Sequence, residues 1–280
     1  MAGFQTFDQL VAALTGGQGY LYPVSKQFTS PGSAGSWITF WPKAGIPGAG
    51  AYAGSSLAAQ VQDNTIAGGL SLPSPGGSFT RHLVHLQMGG GLNSSSGGLL
   101  LLDRLLMYPN IDMNSASLQT LNNSNTLPRY TDGVGVMAFL EVTTVLGSTG
   151  RTLTVNYTNQ AGTGSQSTSF AVTASTAAGG IPFTMPYIPL ASGDYGVRSV
   201  QSVQLNSGMG AGGVAALVLA RPICFLPGLT VGCVSSREFV GQLPSLERLY
   251  DGHCLMFAGV FSATIASTAN MFGQLLAAYN

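Results

Sequence analysis

His82 and His85 form an H-x-x-H pair inside RHLVHLQM, and His253 stands beside Cys254, with Cys233 upstream. Imidazole and thiolate are zinc-ligand chemistry, but residues three apart on a strand face opposite sides, so the two histidines could share an ion only across a bulge. The acids are too scattered to complete a ligand set, and no metal site is expected. Nucleophilic catalysis needs a Ser or Cys beside a base and an orienting acid. G-x-S-x-G is absent, and Cys224 and Cys233 lie among Pro and Gly with nothing to lower a thiol pKa. The strings GGQG, AGIPGAGAYAG and GMGAGG lack the Lys-Ser/Thr of a phosphate loop and read as chain reversals. Asp132, Glu141, Asp194 and Asp251 are the carboxylates whose separation would matter for glycoside hydrolysis. These absences point to no enzyme and no cofactor.

The elements that would position any site are mostly strands. Residues 4–14 place Phe4, Phe7, Leu10, Val11 and Leu14 on one face of a short amphipathic helix that stops at TGGQG, a candidate docking arm. From 15 to 80 the chain is punctuated by Gly, Pro and Ser, with SWITFW at 36–41 as a short strand; such a stretch is expected to be ordered by a partner. From 81 onward the pattern is β. LLLLDRLLMY (99–108) follows GGGLNSSSGG, and VGVMAFLEVTTVL (134–146) is apolar on both faces, as a strand covered on both sides should be. RTLTVNYT (151–158) alternates cleanly and pairs as a hairpin with SQSTSFAVT (165–173). VRSVQSVQL (197–205) and VAALVLA (214–220) read as a second hairpin, with a bulge between Val200 and Val203. Residues 253–280, free of Asp, Glu, Lys and Arg, are interrupted by polar residues too often for a membrane span and read as two strands joined by a polar turn. PRYTDGVGVMAFLEVTT and RLYDGHCLMFAGVFSAT echo one another around Asp132-Gly133 and Asp251-Gly252, where a positive φ is expected ahead of each strand. Chance turn chemistry and repeat ancestry both account for the echo. The fold class is all-β, a β-sandwich of jelly-roll type: residues 1–80 as helix and extended arm, 81–280 as the sandwich, with a division into about 81–222 and 223–280 as an option.

Composition bounds the partners. Ten basic and ten acidic residues in 280, with 39 glycines, compare with about 25 % charged residues in an ordinary soluble domain. Such a surface lacks the charged shell that keeps monomers apart, so most of the exterior is expected to meet protein. Hydrophobic residues at 45 % and aromatics at 9 % exclude disorder. The basic residues are scattered singly, which argues against nucleic acid and against an anionic membrane. Three cysteines without a CxxC spacing suit reduced, buried thiols made in a reducing cytoplasm, and the N-terminus does not read as a secretory signal. Eight of the ten basic residues are arginine, a residue favoured at interfaces. Arg104, beside Asp103, is read as a strand-edge or an interface ion pair.

A family likeness is carried by the W-x-x-x-W segment followed by AGIPGAGAYAG, then LLLLDRLLMY, LPRYTDGVGVMAFLEVTT, TLTVNYTNQAG, GDYGVRSVQSVQL and LPSLERLYDGHCL. Over roughly 35–280 the chain resembles virion structural proteins of tailed bacteriophages. The resemblance implies a particle component made in the bacterial host cytoplasm: a capsid decoration (cement) protein bound to the major capsid protein and to copies of itself, as a homotrimer. Its alternative is a neck, tail or head-fibre component, with a carbohydrate- or receptor-binding jelly roll whose platform would be Trp37, Trp41 and Tyr52. Candidate interface residues are Phe4, Phe7, Leu10, Trp37, Trp41, Arg104, Arg129 and Arg248.

Overall fold

The computed structural model describes residues 4–28, 34–54, 56–74, 76, 79–91, 96–174, 182–210, 212–228, 232–242, 246–262 and 269–280. Among these residues one α-helix, α1 (Phe7–Thr15), precedes sixteen strands, with a 3-10 turn at Val240–Gln242; the strands are β1 (Gly19–Gln27), β2 (Trp37–Thr39), β3 (Ala44–Ile46), β4 (Gln60–Val61), β5 (Arg81–Gly91), β6 (Ser96–Asp112), β7 (Gln119–Thr120), β8 (Met137–Val142), β9 (Arg151–Asn159), β10 (Gln166–Val172), β11 (Val197–Leu205), β12 (Val214–Pro227), β13 (Val234–Glu238), β14 (Arg248–Leu249), β15 (Leu255–Phe261) and β16 (Asn270–Tyr279). The chain is an all-β sandwich, as expected.

The strands form three antiparallel sheets: β13-β5-β16-β1-β3, with β14 also on β5; β10-β9-β11-β7; and a central β2-β15-β6-β12-β8, with β4 on β6. β6 and β12, 17 and 14 residues long, run side by side from Asp112↔Val214 to Gly98↔Pro227 and serve both halves of the molecule. At one end their outer face, with Leu99, Leu101 and Leu226, packs on Leu86, Met88 and Leu275 of the first sheet. At the other end Tyr108, Leu217 and Leu219 pack on Leu153, Val155 and Val203 of the second. Fully burying one such side chain is worth about 1.5–3 kcal/mol, which explains a run as apolar as LLLLDRLLMY.

The inner face of the central sheet closes on itself. Residues 183–188 bond to β8 on one side, through Val142 N–H to Thr184 O (2.9 Å) and Leu140 N–H to Pro186 O (3.0 Å). On the other side they bond to β2, through Thr39 N–H to Phe183 O (2.9 Å) and Met185 N–H to Trp37 O (2.8 Å). Over this stretch the shared segment covers both edges, as in a barrel. Its lumen holds Leu102, Met107, Phe139, Met185, Val218, Met256 and Trp41, fitted around the small Ala216, Ala220 and Ala258. The Gly/Ala-rich segment 44–54 lies across Trp41: Ala51 O accepts the indole Nε1–H (3.2 Å), and a Cβ on Gly50 would fall 2.2 Å from the ring. Its glycines allow that close approach.

The hairpin β9–β10, the bulge in β11 (a register shift between Val200 and Ser202) and the two-sided burial of β8 agree with the sequence reading. Other expectations are corrected. β11 and β12 do not form a hairpin: β11 pairs with β9 and β7, β12 with β6 and β8, so the chain changes sheet between them. The expected arm is largely built into the fold, because GYLYPVSKQ is β1, paired along its whole length with the last strand, β16. Helix α1 starts at a Thr6/Gln9 capping box and buries Leu10 and Ala13, while Phe7 and Val11 face solvent. The two strands expected after residue 253 exist as β15 and β16 but lie in different sheets. The polar turn between them, at 263–268, and the centre of the Gly/Ser loop, at 92–95, lie outside the described residues. No helix among the described residues is long and apolar enough to cross a membrane.

Candidate functional site

The two echoing turns meet in space. PRYTDG (128–133) leads into β8 and RLYDG (248–252) into β15, and both lie where the two halves join over the middle of β6. Tyr130 and Tyr250 touch edge to face, with ring centroids 5.1 Å apart. The Arg221 guanidinium lies over Tyr130 at 4.7 Å and that of Arg248 over Tyr250 at 4.5 Å. Such cation–π stacking holds an arginine fork in one orientation. The turns differ in backbone: Gly133 has φ +72° and Tyr130 a left-handed φ of +51°, whereas Gly252 is not in the positive-φ region expected for it. Gly133 N–H donates to Tyr130 O (2.7 Å), and in the second turn His253 N–H donates to Tyr250 O (3.2 Å).

Around this contact lie two clefts. One, of 630 Å³, is lined by Arg129, Tyr130, Asp132, Arg221, Glu247, Arg248 and Tyr250 among others. The other, of 360 Å³, shares Arg129, Arg248 and Tyr250 with the first and adds Asp63, Arg81 and Asp251. Eight of the chain's twenty charged side chains line these clefts.

Asp103 lies beneath them. Arg129 donates to both its oxygens (2.9 and 2.7 Å), and the Cys254 N–H adds a third bond (2.9 Å). The same guanidinium reaches Gly252 O, Gln62 O and Arg104 O, stitching the first turn to the second and to the barrel. Burial nevertheless leaves the Asp103 carboxyl above its usual range, and burial raises Glu247 against the pull of Arg221. The Tyr130 hydroxyl is pushed far up by the same desolvation. Burial drives the thiols of Cys224 and Cys254 up to about 11 and about 12, which leaves them poor nucleophiles. Cys233 is exposed, contrary to the expectation of three packed thiols.

The four carboxylates singled out above have structural contacts. Asp132 caps Val134 N–H, Glu141 holds Arg104, Asp194 accepts from Tyr157 and Asn159, and Asp251 accepts from Ser74. His82 and His253 are buried and His85 is half-buried. Burial pushes His253 down to about 3, and its Nε2 has no partner among the described residues. The unfolded chain takes up a proton on this residue below about pH 6.5, whereas the folded chain does so only near 3. The contribution is therefore complete above about pH 6.5 and is lost as pH falls. Acidification from pH 7 to pH 4 is expected to remove about 3 kcal/mol through this side chain, and His253→Gln should flatten that slope in urea titrations.

The expected interface residues are distributed unevenly. Phe4 and Leu10 belong to the first core, Trp41 and Arg104 are fully buried in the lumen, and Arg129 is committed to Asp103, so these five face their own chain. Trp37 is half-buried; Phe7 and Arg248 are at the surface. The Trp37, Trp41 and Tyr52 platform is not formed, because Trp41 is covered by residues 50–51 and stacked on Arg104 at 4.3 Å. Nor do Asp103 and Arg104 pair with each other. Neighbours on a strand point to opposite faces, so Asp103 turns outward to Arg129 and Arg104 inward to Glu141. Sequence reasoning missed the exposed apolar side chains of the first sheet, Leu21 (60 % exposed), Val234 and Phe272 (54 % each), of which Val234 and Phe272 line a 440 Å³ groove. In sequence each is one apolar residue in a strand of mixed polarity, which nothing distinguishes from a core position.

No protein-family model and no curated protein matches the chain. Among solved structures, the VP2 subviral particle of infectious bursal disease virus overlaps 93 % of this chain and 80 % of that one, at 9 % identity and a TM-score of 0.24. The Gx strain of the same virus overlaps equal shares at 10 % identity and a TM-score of 0.22. These scores lie below those of chains that share a fold.

Proposed function

We propose that this chain is a structural subunit of a phage particle, a decoration protein that sits on the shell of major capsid protein and reinforces it. The observation that carries the reading is the distribution of charge. Eight of twenty ionised groups are drawn into the waist clefts, while the outer face of the first sheet presents Leu21, Val234 and Phe272. Exposed apolar side chains gathered on one face mark contact with protein. A shell supplies that contact, and a low charge then removes a source of repulsion between neighbours. The sequence resemblance to tailed-phage virion proteins supports the same reading. The fibre alternative would need a platform that does without Trp41, which is buried in the barrel.

Co-sedimentation with shells of the parent phage stripped of this chain tests the proposal. Wild type should saturate the shells. Leu21→Glu with Phe272→Glu, both on exposed positions, should bind about ten-fold more weakly or less while unfolding at the wild-type midpoint. A wild-type chain that stays in the supernatant, as a free monomer, overturns the proposal.

A further inference from the structure

The edge of a β-sheet presents unpaired amides and carbonyls that template another strand, and proteins blunt such edges with charge, proline, bulges or brevity. In the central sheet residues 183–188 join β2 to β8, and the stretch of β12 beyond β8 carries Arg221 and Pro222. In the first sheet, β13 carries Arg237 and Glu238, β3 has three residues, and the stretch of β1 beyond β3 contains Pro23. In the second, β7 has two residues. β10 carries none of these guards except at most modest length. It runs seven residues, QSTSFAV, without charge or proline, in unbroken register with β9 from Gln166↔Tyr157 to Val172↔Arg151. Its other edge bonds to no backbone group among the described residues.

We propose that β10 is a seam at which two copies of this chain pair, antiparallel, across a twofold axis through Ser169. Directly opposed residues in an antiparallel pair share a face, and full overlap of all seven residues then places Ser169 opposite itself. Thr168 falls opposite Phe170, and Ser167 opposite Ala171. On the outer face this extends a neutral hydrogen-bonded row in which Thr154 meets Ser169 (2.8 Å) and Asn156 donates to Ser202 (2.9 Å). On the inner face the half-buried Phe170 gains the partner's Thr168 as a cover. A second copy fits because it brings an edge equally free of charge, on a chain of zero formal net charge. The seam needs no capsid shell, so it stands or falls separately from the decoration role. It is a twofold contact, and the threefold assembly implied by the sequence resemblance would have to use another surface.

Cross-linking reads the register. In a Cys233→Ser background, which removes the exposed native thiol, Ser169→Cys should oxidise to a covalent dimer, since opposed Cα atoms about 4.5–5.5 Å apart admit a disulfide. Ser167→Cys, whose counterpart is Ala171, should stay uncross-linked. Light scattering should find wild type as a dimer at micromolar concentration. Ser169→Lys, an exposed change that sets like charges face to face, should weaken it about ten-fold or more, while Ser169→Thr should keep it. A monomeric wild type, a trimer indifferent to Ser169→Lys, or cross-linking of Ser167→Cys as fast as Ser169→Cys overturns the seam.

Discussion

Arg104→Ala is expected to lower the unfolding free energy by about 3–5 kcal/mol, because it strands a carboxylate inside the barrel. Arg104 and Glu141 both have side chains with no exposure, joined by two bonds of 2.7 and 2.8 Å from one guanidinium nitrogen. Gln62 accepts from Nε (3.2 Å), and Trp41 covers the guanidinium plane. Among the described residues no other cation pairs with Glu141, and the lumen is bounded by residues 183–188 on one side and 44–54 on another. Removing both charges, as Arg104→Met with Glu141→Leu, should recover most of the loss, since a buried pair itself contributes little beyond an apolar pair of like volume. Urea unfolding of the two single variants and the double variant measures the coupling directly. An Arg104→Ala loss below about 1 kcal/mol would mean a wet lumen and would contradict the closure.

Arg129→Ala should cost a comparable 3–5 kcal/mol at neutral pH, with a pH dependence that separates it from simple loss of packing. Asp103 would keep only the Cys254 N–H of its three bonds, and burial, already holding its carboxyl above the usual range, would act unopposed. A carboxyl whose folded pKa is raised stabilises the fold below its ordinary value near 4 and loses that contribution as pH rises through the folded value. The gap between Arg129→Ala and wild type, compared at each pH, should therefore be widest near neutrality and close as pH falls toward 4. Adding Asp103→Asn should narrow the gap at pH 7. A gap independent of pH would assign the loss to the turn contacts with Gly252 and Gln62 instead.

Both predictions concern residues whose partners lie far away in the chain, and that is where sequence reading was weakest. RTLTVNYT showed its alternation, its turn and its hairpin partner because all three lie within about twenty residues, and the Val200/Val203 break announced its bulge for the same reason. The helix was legible in its apolar stripe and its stop but not in its orientation. Phe7 and Val11 sit on the apolar stripe, yet the core available to α1 admits Leu10 and Ala13. The eight interface candidates were chosen by residue type, and five proved to have interior partners that no spacing announces.

Amino-acid order alone was enough to establish an all-β chain, low in charge, with strands placed by alternation and turns by Gly and Asp. Alternation states that one face of a strand is buried; it does not state against what. That β1 joins β16, that β11 and β12 part into different sheets, and that residues 183–188 seal a barrel depends on pairings that compete across the whole chain. The sparseness of charge could likewise be counted residue by residue. Its concentration at the waist exists only once two turns more than a hundred residues apart are brought ring to ring at Tyr130 and Tyr250.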